Sequence, residues 1–144
     1  MDCREAGINN SGTAFGGFGM FWNSDSVVKI ARFLALEGGT IDGRQVLHPQ
    51  ALAATMQQDP LDRGLSMNLF GYNYNNGAWA FPARLLGDEY PCDPWIVVMS
   101  GLSGIRVIMM PNGLIFYYFN DSEAFPLTEQ SKAANQVRPF CVTD

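Results

Sequence analysis

The chain has 144 residues, about one domain's worth, with 47% apolar and 16% charged residues and ten Phe, five Tyr and three Trp. Such a composition folds rather than staying disordered, and so many aromatics beside so few charges predict an apolar surface that something must cover. A formal net charge of −5 without any Lys/Arg cluster gives no support to nucleic-acid binding or to docking on an anionic membrane, and no apolar run reaches the roughly 20 residues of a spanning helix.

In chain order, residues 1–23 are rich in Gly, Asn and Ser and are punctuated by Phe15, Phe18, Phe21 and Trp22. They read as a loop-rich lead-in that packs by its aromatics. The opening "MDCREAGINN" is polar and acidic and does not read as a signal peptide; a leader for an exported form would lie upstream, and the compartment stays open. A helical region spans 24–60. Ser24 is a suitable N-cap, Asp25 suits the positive helix end, and Val27, Ile30, Ala31 and Leu34 recur at helical spacing. Gly38-Gly39 ends this helix, Asp42-Gly43 makes a turn, and Pro49 opens a second helix that Pro60 stops.

Residues 61–93 are mixed, with Asn76-Gly77 as a turn between strands. In 94–137, "WIVVMS", "IRVIMM" and "LIFYYFN" are near-continuous apolar runs with short connections, the signature of antiparallel strands covered on both faces. "PLTEQSKAANQV" closes the chain as a helix beginning near Pro126 or Thr128. The expectation is one α+β domain over 1–144. It holds a three-stranded C-terminal meander, with further strands upstream, packed against a terminal helix and two N-terminal helices.

Cys3, Cys92 and Cys141 are widely separated, so free thiols are expected, with one disulfide and a leftover Cys as the alternative. No metal or other cofactor is expected. Asp59, Asp62, Asp88, Glu89 and Asp93 sit around turns and read as solvated carboxylates. His48, the single histidine, precedes Pro49, where a capping or solvated role suits it better than general base. Trp79 and Trp95 read as core or cleft aromatics.

Two stretches carry a resemblance. "GGFGMFWNSDSVVKIARFLALEGGTIDGRQVLHPQALAATM" and "VMSGLSGIRVIMMPNGLIFYYF" resemble, in order, segments of serine β-lactamase-like hydrolases, the superfamily of class C β-lactamases, penicillin-binding esterases and related amidases. The match runs from about residue 16 to 137 and implies a partial β-lactamase-like fold. By this resemblance Ser100 and Gly101 stand in the family's Lys-Thr-Gly or His-Thr-Gly strand, and the amide of Leu102 supplies an oxyanion donor. Met99 departs from the pattern, because a thioether cannot carry the charge of Lys or His.

Ser26 and Lys29 spell Ser-x-x-Lys, and Tyr74-Asn75-Asn76 spells Tyr-x-Asn. In the family the corresponding motifs lie upstream of the part this chain resembles, and too few residues separate Ser26, Tyr74 and Met99 to hold the intervening helical region. The expectation is therefore the C-terminal portion of a hydrolase that performs acyl transfer on an amide or ester, silent as this chain. The alternatives are an intact non-catalytic α+β module binding through a cleft near Ser100 and Trp95, and a compact esterase using Ser26, Lys29 and Tyr74. The resemblance also implies that strand 114–120 lacks its usual N-terminal neighbour. It would then be an exposed edge through which the chain forms a homodimer or larger assembly.

Overall fold

A computed structural model describes residues 23–67, 71–87, 90–101, 104–120 and 126–141. Helix α1 runs Ser24–Ala35, and its N-cap is Asn23, whose side chain accepts from the Ser26 N–H at 2.8 Å. Ser24, expected as the cap, is instead the first helical residue; Asn23 has the extended backbone a cap requires (φ −87°, ψ 163°). Asp25 in the first turn pairs with Lys29 one turn on, at 2.7 Å. Strands β1 (Thr40–Ile41) and β2 (Arg44–Gln45) form a minimal hairpin about Asp42-Gly43, both at positive φ.

Helix α2, Pro49–Thr55, starts at Pro49 as expected but ends before Pro60. Gln57 takes a left-handed backbone (φ 52°) and is buried, its amide donating to the Asn73 carbonyl at 3.4 Å. That tertiary anchor, rather than the proline, turns the chain away from the helix.

The remaining strands are β3 (Leu65–Met67), β4 (Tyr72–Asn75), β5 (Ala78–Pro82), β6 (Trp95–Ser100), β7 (Arg106–Met109) and β8 (Ile115–Tyr118), and helix α3 is Leu127–Val137. They form one six-stranded antiparallel sheet in chain order, so the C-terminal meander expected from the sequence is half of a longer one. The architecture is α+β, as expected.

Side-chain alternation divides the core between two faces. On one, Phe81, Ile96, Val98, Ile108 and Met110 pack with Leu127 and Ala134 of α3. On the other, Ala78, Ala80, Val97 and Met109 meet Ala35 of α1 and Met56 at the end of α2. Strand β6 is buried on both faces, as its sequence predicts. Strand β8 is not: it is an edge strand paired only with β7 among the described residues, with Tyr117 39% and Phe119 49% exposed. It is also shorter than the apolar run 114–120. Continuous hydrophobicity marked a strand correctly but overstated how much of it the helices cover.

The thiol expectation is corrected as well. Cys92, before β6, is bonded to Cys141, beyond α3, while Cys3 lies outside the described residues. The Tyr90 and Phe140 rings stack beside this link at 5.3 Å.

Candidate functional site

Strand β6 delivers Ser100 and Gly101 to one end of the sheet. The Gly101 N–H donates to the Ile105 carbonyl at 2.9 Å and closes the turn into β7. Arg106, opposite Ser100 in register, donates to the Gly101 and Ile105 carbonyls, each at 2.8 Å. Gly104, at φ +75°, lets the chain here lie against the Asn120 main chain, whose carbonyl oxygen a Cβ would strike.

Two cavities flank this strand end. The larger, about 560 Å³, lies between α1 and the sheet and is lined by Val27, Ile30, Ala31, Met99, Val107 and Phe119, with Ser100 and Gly101 at one end. The smaller, about 300 Å³, lies on the α3 face among Tyr72, Trp79, Phe81, Val98 and Arg106, and Ser100 lines it too. The structure thus brings Ser100 and Gly101 together at a cavity mouth. Leu102, the expected oxyanion donor, lies outside the described residues, and the Gly101 amide already has a main-chain acceptor. Met99 faces the larger cavity, where the resembled family has a cation.

Arg106 is the residue that sequence reasoning missed. Its signal was a lone cation interrupting an apolar run. Tyr118 is its register partner on β8, and burial raises the Tyr118 phenol above its usual range while Arg106 acts to lower it. Ser100, Arg106 and Tyr118 therefore form one cross-strand row of hydroxyl, guanidinium and phenol.

The Ser-x-x-Lys and Tyr-x-Asn residues are not assembled into a site. The Lys29 ammonium is paired with Asp25, both side chains more than 70% exposed. Tyr74 packs on Trp79 at 4.7 Å on the α3 face, whereas α1 covers the other face, so the sheet stands between Tyr74 and the helix bearing Ser26.

His48 occupies the N-cap position of α2 but makes no side-chain cap bond. Asp59 and Asp62 accept from backbone N–H groups two residues on, and Asp93 is ion-paired with Arg84; Asp88 and Glu89 lie outside the described residues. Among the described residues no group of three or more His, Cys, Asp or Glu is placed to hold a metal. Trp95 stacks under the Arg63 guanidinium at 3.9 Å, away from Ser100 at the opposite end of β6. Trp95 and Ser100, which the module reading set beside one cleft, lie at the two ends of this strand. No family model, curated protein or solved structure matches this chain.

Proposed function

We propose that this chain is the C-terminal portion of a serine β-lactamase-like hydrolase, supplying scaffold and one rim of an acyl-transfer pocket, and that it is silent without the polypeptide bearing the nucleophile. One observation carries the reading: Ser100-Gly101 ends a buried strand at the mouth of an apolar cavity, while Ser26, Lys29 and Tyr74 stand apart. The order that follows, a tight turn into β7, a Pro-Asn-Gly turn into β8 and a closing helix, is the order on which the resemblance rests. The Cys92–Cys141 bond favours maturation in an oxidising compartment.

The chain incubated with a fluorophosphonate or penicillin probe should remain unlabelled, with an activated ester hydrolysed no faster than by the Ser26→Ala variant. Stoichiometric labelling lost in Ser26→Ala overturns the silent part of the reading. The coding sequence upstream of Met1 should carry a Ser-x-x-Lys, and its absence overturns the hydrolase part.

We further propose that a second copy of the chain covers β8. The supporting feature is an edge strand whose flanks, from Leu114 to Asn120, hold no charge and no proline. Edges left so unguarded pair readily.

A further inference from the structure

We propose that the cavity between α1 and the sheet binds a neutral, unbranched apolar chain, the acyl part of an ester or amide, with its polar end toward the main chain of the Ser100-Gly101 strand end. A volume of about 560 Å³ falls within the range of small-molecule sites. Its walls are alkyl, thioether and aromatic: Val27, Ile30 and Ala31 from α1, Met99 from β6, Val107 from β7, and Phe119. Ser100 and Gly101 close one end of it where β6 stops, the Ser100 side chain sharing the face of its register partner Arg106.

Two features select a neutral occupant. Among the described residues no charged side chain lines the cavity, and the whole chain carries −5, so a carboxylate entering it would shed water with none of their cations to replace it. The guanidinium closest to Ser100 in register, that of Arg106, lines the cavity on the opposite face of the sheet. Met99, where a cation would otherwise recognise an acidic substrate, instead gives this wall a soft and adaptable surface.

Small residues keep the space open. Ala31 is fully buried on the α1 side, and a side chain at Gly77 would meet nothing within 4 Å. That the occupant is the acyl group of a substrate rests on the hydrolase reading; that the cavity takes a neutral chain does not.

The test uses the chain alone, following the Met99 methyl resonance as methyl hexanoate, methyl octanoate and the two free carboxylates are added at neutral pH. Both esters should shift it saturably. The octanoate ester should bind roughly fifteenfold tighter than the hexanoate ester, about fourfold per methylene, and the carboxylates at least roughly tenfold more weakly than their esters. Ile30→Glu and Ile105→Glu should each weaken ester binding by about tenfold or more, and Lys29→Glu should not. Ile105 also lines the cavity, and it is exposed enough that its replacement leaves the core untouched.

Absence of any saturable shift, carboxylates binding as tightly as esters, or binding unchanged in both glutamate variants would overturn the proposal. Missing Ser-x-x-Lys upstream would remove the hydrolase reading and leave the binding result standing. Failed binding beside an intact upstream motif would do the reverse.

Discussion

Gly104 sits under two constraints at once. It combines a left-handed backbone with main-chain contact to Asn120, so replacement adds a conformational cost and a collision that no side-chain rotation relieves. Gly104→Ala should lower stability by about 2–4 kcal/mol, measured as a shift in the urea midpoint with unchanged slope. A shift within error would mean that the β6–β7 turn relaxes freely. Tyr118 gives the second residue-scale prediction. Burial favours its neutral phenol, with Arg106 opposing. Its folded value is raised, so the native state holds that proton longer than the unfolded chain. The associated stability is complete below about pH 10, the ordinary tyrosine value, and is lost as pH climbs through the folded value. In an absorbance titration of the phenolates, Tyr118→Phe should remove a late-ionising component. Arg106→Gln should move that component later still, and an earlier movement would refute the assigned balance.

At the scale of elements, the Pro111-Asn112-Gly113 turn does more than reverse the chain. The Asn112 amide donates to the Ala134 and Arg138 carbonyls at 2.8 and 2.7 Å, so a β-turn residue satisfies the C-terminal end of α3. Its carbonyl oxygen meanwhile accepts from the Leu114 N–H at 3.2 Å. Asn112→Ala should cost about 1–3 kcal/mol by leaving these carbonyls short of donors, and amide exchange should quicken at the end of α3 before it does in the sheet. The Cys92–Cys141 bond anchors the same region from the other side, across 49 residues of sequence. Replacing both cysteines by serine should cost about 2–5 kcal/mol, read in thermal unfolding without reductant. If reductant lowers the parent's midpoint but not the variant's, the bond is the cause.

For the whole molecule, the described layers leave β8 as one edge of the sheet, with Tyr117 and the following Phe119 exposed. Self-association through it should appear as a dimer or larger species in sedimentation at micromolar concentration. Tyr117→Lys, which sets a charge on the exposed edge, should shift the population to monomer while leaving the thermal midpoint nearly unchanged. A monomeric parent would dismiss the edge as an interface.

Legibility in the sequence followed the range of the interactions involved. Turns at Asp42-Gly43, Asn76-Gly77 and Pro111-Asn112-Gly113, the Pro49 start of α2 and the apolar strand β6 were readable because their causes are local: backbone freedom, a fixed φ, a run of branched residues. The Ser100-Gly101 position at a strand end was readable for the same reason. Tertiary packing alone decided that Cys92 meets Cys141, that Gln57 rather than Pro60 redirects the chain after α2, that Arg106 clamps the turn beside Ser100, and that the sheet separates Tyr74 from Ser26. Each joins residues distant in sequence, or depends on which face of the sheet a helix covers, and no periodicity within one segment encodes that choice.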